Sequence, residues 1–447
     1  MNKTANTAED MPSIAQSCIE LSTKKGASAV SADVYRVRKV EFQWRDGKPE
    51  TVTEATTRGV QLDLYVDGRY ARVSTSDLRP EALESLIGDT VVVARSLAQD
   101  PYRGLPDPEL YEGQAELDLG LEDPRYDELT ADHRRQLAQE AEAGAREVKG
   151  SDTILSVTTS FSDTLTERFL VNSNGFSGAS RGTVFSLSAE VGVKDKDGRR
   201  PEDYSYATSR GLAGLPKAAL IGKDAGERSV ARLGAGKGES AMLPMVVDNR
   251  AGGRMVGLLM SPLSGSSLQQ KRSFLEGKLG EAVFGDKITI VDDPLIAGGL
   301  GSRLWDSEGI AARRRPIVEA GVLKSYYIDT YYGRKLKVAP TSGDASNLSW
   351  NTGSRDPAAL IAGIDDGIFV TGFLGGNSNG LTGDFSLGVL GFRIRDGQLA
   401  EPVGEMNISG NHLEFWKRLV AVGNDPFPYS PLRTPTLVFD GVSFAGV

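Results

Sequence analysis

Alternation of apolar and polar residues, interrupted at Asp-Gly pairs, is the feature that most limits how this 447-residue chain can fold. Residues 34–42 and 60–66 have the period of two that is typical of half-buried β-strands. Asp46-Gly47 and Asp67-Gly68 follow them, and such pairs favour the tight turns of β-hairpins. The chain contains 52 glycines, well above the average share of about 7%. We therefore expect many hairpins.

Helical periodicity appears between these stretches. The first predicted helix covers residues 11–25 and buries Cys18 as a small hydrophobic residue. A second begins at Pro80, and a third covers residues 130–148, with Thr130 as its N-cap and His133 exposed in its first turn. Further helices are predicted at 217–233, 251–260, 356–364 and 413–421, and further strands within 153–210 and at 245–247, 287–291, 316–328, 388–395 and 436–439.

The glycine-rich segment 234–238 predicts a flexible linker between two parts of different composition. We expect an α+β fold. Residues 1–238 are predicted to form an N-terminal α+β domain, a twisted antiparallel sheet with helices. Residues 239–447 are predicted to form a C-terminal β-rich domain with few helices. Residues 100–127, rich in proline, glycine and acids, are predicted to be a long surface connection.

Composition excludes several classes of protein. The chain has 51 basic and 60 acidic residues and a pI of about 5.1, which argues against non-specific binding to nucleic acid or to an anionic membrane. No apolar stretch reaches the roughly 18–20 residues of a membrane span. Residues 1–13 lack the apolar core of a signal peptide. The single cysteine excludes an intramolecular disulfide. These features predict a soluble cytoplasmic protein.

The residues alone suggest no catalytic constellation. Segment 234–240 lacks the GxxxxGK[ST] pattern of a phosphate loop. The only two histidines, His133 and His412, cannot form a zinc site of several imidazoles. His412 is the one serious candidate base for a serine nucleophile, but no GxSxG motif is present and packing near a helix start is favoured. The adjacent Asp292 and Asp293 are predicted to be turn residues rather than an aspartic dyad.

From residue 240 onward, a series of short segments occurs in the order and spacing of a known family. They are residues 243–249, 274–281, 291–294, 306–309, 318–326, 340–343, 372–376, 383–386, 422–425 and 435–440. In this order they resemble the TldD/PmbA family, whose members were formerly called gyrase modulators and are viewed as metalloproteases. The first half of the chain resembles the family's first domain more loosely.

The resemblance implies one of two kinds of chain. The TldD type carries HExxxH on a helix, with a cysteine near the C-terminus as third zinc ligand. Counted back without gaps from Gly280-Glu281, that helix falls at residues 256–261, which read Val-Gly-Leu-Leu-Met-Ser. Residues 426–430, where the cysteine would lie, read Pro-Phe-Pro-Tyr-Ser. The chain is therefore similar to the TldE (PmbA) type, which lacks the metal motif.

The resemblance implies a zinc-free subunit of a heteromeric metalloprotease that degrades unfolded or short peptides or trims peptide precursors. A TldD-type HExxxH partner would supply zinc and the general base, so that this chain would contribute no catalytic residue, metal ligand or cofactor. An extended peptide can add to a sheet edge through its backbone. We expect Gly375, Gly376, Asn377 and Asn379 to contact such a peptide, although each also fits an ordinary hairpin turn.

Two other functions remain open at this point. The chain could be a homodimeric peptide-binding scaffold or adaptor without a proteolytic role. It could also be a metal-independent hydrolase that uses carboxylates such as Asp384. The apolar helix at residues 256–260 is expected to fill the core in either case.

Overall fold

The computed structural model describes residues 10–446. Residues 1–9, most of the segment predicted to lack a signal-peptide core, lie outside the described residues. The helices are α1 (Met11–Lys24), α2 (Pro80–Ser96), α3 (Ala131–Arg146), α4 (Ala218–Ala231), α5 (Asn249–Met260), α6 (Gly265–Gln269), α7 (Thr330–Leu336), α8 (Pro357–Ile361) and α9 (His412–Phe415). None of these helices has the length and apolarity needed to cross a bilayer.

The strands of the first half are β1 (Ala29–Arg45), β2 (Lys48–Val66), β3 (Arg69–Thr75), β4 (Ile154–Asn172), β5 (Ser177–Val193) and β6 (Glu202–Ser209). Those of the second half are β7 (Gly236–Lys237), β8 (Ala241–Val247), β9 (Ile290–Asp292), β10 (Arg315–Glu319), β11 (Val322–Leu323), β12 (Leu348–Trp350), β13 (Asp366–Ser378), β14 (Asp384–Arg395), β15 (Gln398–Asn411), β16 (Leu419–Val422), β17 (Leu432–Arg433) and β18 (Leu437–Ala445).

The first six strands form one antiparallel sheet in the order β3-β2-β1-β4-β5-β6. Its hairpins turn at the predicted Asp46-Gly47 and Asp67-Gly68, where all four residues have positive φ. Val34 packs in the core beneath α1 and α2, and Phe42 packs against α3. Because both lie at even positions of β1, they share one face of the sheet. The helices therefore cover one face and leave the other face available to polar side chains.

Cys18 is fully buried in the core between α1 and this sheet. Burial raises the pKa of its thiol to about 11, so the group is protonated at neutral pH. Thr130 caps α3 by accepting a hydrogen bond from the backbone N–H of His133, whose side chain is exposed. The predictions for all three residues are confirmed.

The second half contains a seven-stranded sheet, β16-β18-β8-β13-β14-β15-β7, and a five-stranded sheet, β11-β10-β9-β12-β17. An additional pairing of β18 with β15 closes five strands of the larger sheet into a small barrel. Helix α5 packs its Val256 side chain, which is fully buried, into the adjoining core. The predicted α+β class is confirmed, whereas the predicted boundary at residue 238 stays a prediction.

Several local predictions are wrong for identifiable reasons. The predicted strand 316–328 is the hairpin of β10 and β11, because Ala320 and Gly321 adopt positive φ and reverse the chain. The predicted helix 413–421 ends early, and its last residues pair as β16 with β18. The predicted linker 234–238 contains β7, which pairs with β15.

The predicted surface connection, residues 100–127, is only partly on the surface. Leu119 is buried, and its carbonyl oxygen accepts a hydrogen bond of 2.7 Å from the N–H of Gly298 in the second half. The carbonyl oxygen of Leu110 likewise accepts from the N–H of Ala311. The connection therefore lies between the two halves of the chain and helps to join them.

A buried ion pair anchors α3 to the sheet and yields a first prediction. Arg134 donates to Asp163 at 2.5 and 3.1 Å, and the two residues are only 5% and 0% exposed. Arg134→Ala leaves the carboxylate buried without its counter-ion, so we expect a loss of about 3–5 kcal/mol of unfolding free energy. Chemical denaturation followed by circular dichroism measures this loss.

The matched control is Arg135→Ala, because Arg135 pairs with Asp132 on the exposed side of the same helix. Its expected cost is below about 1 kcal/mol. Equal losses for the two variants would contradict a stabilising role for the buried pair.

Candidate functional site

The four residues predicted to bind a peptide lie where β13 ends and turns towards β14. β13 pairs with β14 along most of its length, but with β8 only from Ile368 to Val370. Beyond Val370, no other strand within residues 10–446 pairs with the opposite side of β13. This leaves residues 372–378 as an open sheet edge, the kind of surface to which an extended peptide can add.

Gly375 and Gly376 form a bulge in this edge, with φ values of 52° and 85°. A Cβ at Gly376 would clash with the carbonyl oxygen of Ser386, so this position requires glycine. At Gly375 no atom lies within 4 Å of the place where a Cβ would be. The carbonyl oxygen of Gly375 accepts a 3.4 Å hydrogen bond from Arg254 of α5, so the helix and the open edge are neighbours.

Asn377 and Asn379 line a shallow concavity of about 370 Å³ together with Asp384. The side-chain oxygen of Asn379 accepts hydrogen bonds from the N–H groups of Leu381 and Thr382 at 3.0 and 3.3 Å, so it stabilises the turn. The side chain of Asn377 makes no hydrogen bond within the described residues and is exposed. Asn377 therefore offers its whole amide to a ligand, whereas Asn379 offers only its side-chain nitrogen.

Asp384 is an exposed carboxylate held by two donors. Asn411 donates to it at 3.0 Å and Thr382 at 2.7 Å, and these hydrogen bonds hold its pKa below the ordinary value. An acid catalyst at neutral pH needs a raised pKa instead. The geometry therefore favours a turn-stabilising role for Asp384.

His412 is a buried structural residue at the start of α9, as predicted from the sequence. Its Nδ1 accepts a 3.2 Å hydrogen bond from the indole N–H of Trp416, so Nε2 carries the proton and donates to Ser378 Oγ at 3.0 Å. The rings of Phe274 and Phe385 stack against it at 5.5 and 4.8 Å. In this tautomer the imidazole cannot remove the proton of Ser378. Within residues 10–446, no carboxylate bonds to this ring as it would in a serine triad.

Helix α5, whose last residues would carry the zinc motif by the family resemblance, begins beside the segment where the cysteine would lie. Asn249, at the start of α5, donates a 2.8 Å hydrogen bond to the carbonyl oxygen of Asp425, which precedes segment 426–430. On α5 itself, however, Val256 is buried in the apolar core and Gly257 has no side chain, while Ser261 follows the helix. These residues do not fit a zinc ion, which requires imidazole, thiolate or carboxylate donors. Within residues 10–446, no group of three His, Cys, Asp or Glu side chains is arranged to hold a metal.

The fold contains a second, deeper site that is not predicted from the sequence. A cavity of about 490 Å³ lies between the polar face of the first sheet and loops of the second half. Burial raises the pKa of its Glu308 to about 7, and the charges of Asp306 and Asp329 add to the shift. One sequence feature does relate to this cavity: in β2 the cavity-lining residues Gln61, Asp63 and Tyr65 alternate with core residues. Polar residues on a strand are ordinarily solvated, so this alternation alone does not reveal a cavity.

Comparison with known proteins gives consistent matches along the chain. Models of the PmbA/TldA metallopeptidase domain 1, central domain and C-terminal domain match residues 30–94, 124–233 and 240–446. Metalloprotease PmbA of Escherichia coli O157:H7 is 28% identical over 432 residues, or 96% of this chain and 94% of that protein.

Solved structures agree with these matches. A crystal structure from Bacteroides thetaiotaomicron VPI-5482, described as a candidate modulator of DNA gyrase, is 39% identical with a TM-score of 0.94 and covers 98% of this chain and 99% of its own. The structure of TldE from Thermococcus kodakarensis has a TM-score of 0.86 at 21% identity. The match covers 97% of this chain and 100% of that one. The latter likeness concerns the fold alone.

The environment of His412 yields a prediction for the pH dependence of stability. Burial lowers its pKa from 6.5 to about 4, so the folded protein keeps the imidazole neutral where the unfolded chain binds a proton. The stability that this group contributes is present above pH 6.5 and is lost as the pH falls towards 4. The difference in unfolding free energy between wild type and His412→Gln should shrink across that window by at most about 1.4 kcal/mol per pH unit.

Urea denaturation at several pH values between 7.5 and 4.5 measures this difference. His133→Gln, at the exposed histidine of α3, is the matched control and should follow the wild type. A difference between wild type and His412→Gln that is independent of pH would contradict the assignment of a buried neutral imidazole.

Proposed function

The chain belongs to the TldD/PmbA metallopeptidase family, and from this premise we propose that it is a TldE/PmbA-like, zinc-free subunit of a two-chain peptidase. The observation that carries the proposal is helix α5, which uses Val256 for core packing and carries no donor at the positions of a zinc motif. The two histidines of the sequence lie apart, His133 exposed on α3 and His412 buried at α9. An HExxxH chain would therefore provide the zinc and the general base.

This chain would bind the peptide substrate. The open edge at residues 372–378 supports this role, because its backbone can pair with an extended peptide without reading its sequence. Asn377 adds an exposed amide without a partner among the described residues. Unfolded or short peptides are the substrates that such an edge accepts. We place the assembly in the cytoplasm, where the buried free thiol of Cys18 stays reduced.

Peptide hydrolysis by three samples tests the proposal. The samples are this chain, the HExxxH-containing paralogue from the same genome, and their mixture, each with and without a chelator. We expect chelator-sensitive cleavage of an unstructured peptide that appears or rises sharply only in the mixture. Activity of the paralogue that is equal with and without this chain would favour an adaptor role. Activity in this chain alone would overturn its assignment as a non-catalytic subunit.

A pair of asparagine variants tests the peptide edge in the active mixture. Asn377→Ala should raise KM for the peptide several-fold and leave the melting temperature unchanged, because this side chain makes no hydrogen bond in the described fold. Asn379→Ala should lower the melting temperature, because two backbone N–H groups lose their acceptor. An unchanged KM for Asn377→Ala would exclude a contact between this side chain and the substrate.

A further inference from the structure

The 490 Å³ cavity contains a guanidinium held between two aromatic rings. Arg103 lies over the ring of Tyr331 at 3.7 Å and over that of Tyr70 at 4.5 Å. Both rings are fixed by their hydroxyl groups, since Tyr70 donates to Asp63 at 2.6 Å and Tyr331 donates to Asp100 at 2.7 Å. The guanidinium is therefore positioned by three separate parts of the chain: β3, the connection and α7.

Arg103 lacks an anionic partner among residues 10–446. Its backbone N–H bonds the carbonyl oxygen of Asp100, but its side chain makes no hydrogen bond or ion pair in the described fold. The other two arginines of the cavity are paired: Arg72 with Asp63 at 2.6 Å and Arg168 with Asp33 at 2.7 Å. A positioned guanidinium with free donors is suited to a planar anion such as a carboxylate.

Two carboxylates of the same cavity each have one oxygen without a donor in the described fold. Glu308 Oε2 accepts from the N–H and the hydroxyl of Thr330 at 2.9 and 3.0 Å, whereas Oε1 accepts no hydrogen bond. Asp329 caps α7 through Oδ1, which accepts from the N–H of Tyr332 at 2.7 Å, and its Oδ2 has no donor. These two oxygens suit a ligand that donates hydrogen bonds.

A buried polar atom at the same wall also lacks a partner. Asn172 lines the cavity and is only 2% exposed, and its Nδ2 donates to the carbonyl oxygen of Glu308 at 2.9 Å. Its Oδ1 is buried and accepts no hydrogen bond within residues 10–446. Buried polar atoms are nearly always hydrogen-bonded, so such an atom at a cavity wall points to a missing donor.

We propose that this cavity binds a small zwitterion, a free α-amino acid or a dipeptide, with its carboxylate on Arg103 and its ammonium on Glu308 and Asp329. A simple anion would leave the two carboxylates without donors, and a simple cation would leave the guanidinium without an acceptor. The volume of about 490 Å³ lies within the usual size of small-molecule sites.

Arg103, Glu308 and Asp329 all line this cavity, so opposite charges can contact one bound molecule. Burial raises the pKa of Asp329, and the positive charge of Arg103 opposes that shift, so the two groups are within electrostatic reach of each other. The ligand class deepens the proposed function and rests on it, since amino acids and dipeptides are what a peptidase releases. The binding itself requires only this chain, so its failure is distinguishable from failure of the hydrolytic assembly.

Isothermal titration calorimetry of the full chain tests the proposal. The ligands are alanine, Ala-Ala, N-acetyl-Ala-Ala and Ala-Ala-amide, and the first two distinguish an amino-acid site from a dipeptide site. We expect at least one of the two zwitterions, alanine or Ala-Ala, to bind. If Ala-Ala binds, each blocked dipeptide should bind at least tenfold more weakly than Ala-Ala. The proposal is wrong if neither zwitterion binds at millimolar concentration or if the blocked dipeptides bind as well as Ala-Ala.

Three variants assign the two ends of the ligand. Arg103→Gln should weaken binding of the zwitterion at least tenfold, and Glu308→Gln should do the same while its amide oxygen still accepts from Thr330. Arg79→Gln is the control, because Arg79 is exposed, pairs with Asp77 and lies outside the cavity. Melting curves confirm that each variant is folded. Unchanged affinity in both cavity variants would overturn the assignment.

Discussion

The antiparallel pairing of β1 with β4 is the interaction on which the rest of the structure depends. It runs without a register shift from Ser31 opposite Asn172 to Arg45 opposite Thr158, and it joins the hairpin β1–β2 to the hairpin β4–β5. Side chains alternate between the two faces, so a slip of one residue would exchange the faces of a whole strand. Val34 would then face the cavity and Asp33 would lie beneath α1. The register therefore determines both the helical core and the polarity of the cavity.

The two halves of the chain meet on the polar face that this register leaves uncovered. Aromatic contacts hold part of this interface between the two halves. Trp305 packs on Phe176 at 5.3 Å, and the guanidinium of Arg168 lies over Trp305 at 4.9 Å. Elsewhere at this interface the surfaces of the two halves are polar, and their charged groups are desolvated without being fully paired. This explains why burial raises the pKa of both Asp306 and Glu308 at this place. A cavity lined by such groups is more costly to leave empty than an apolar one.

Local features of the fold could be predicted from the sequence because each rests on nearby residues. The Asp46-Gly47 turn, the Thr130 cap and the burial of Cys18 depend on backbone preference and short-range periodicity, and all three are found. Prediction from nearby residues fails at segment 413–421. The helix there ends early because residues from Leu419 onward pair with the distant strand β18. The segment from Gly375 to Asn379 could be singled out from the sequence, but the open edge to which it belongs depends on how far β8 extends. The chemistry of Glu308 could not be foreseen, since its neighbours in the cavity come from the first sheet and α7.

Helix α5 combines core packing with support of the neighbouring sheet edge. Its apolar side supports the core through Met255, Val256 and Leu259, all at most 4% exposed. An imidazole at Val256 would be a polar ring in this apolar packing, at a cost of about 1–3 kcal/mol unless it found a hydrogen bond. Stability and metal binding therefore make opposite demands on this position. Once packing occupies it, the helix still supports the neighbouring β13 edge through Arg254, and that contact needs no metal. Core packing by this helix and its support of the β13 edge are therefore both independent of the donors that a metal would need.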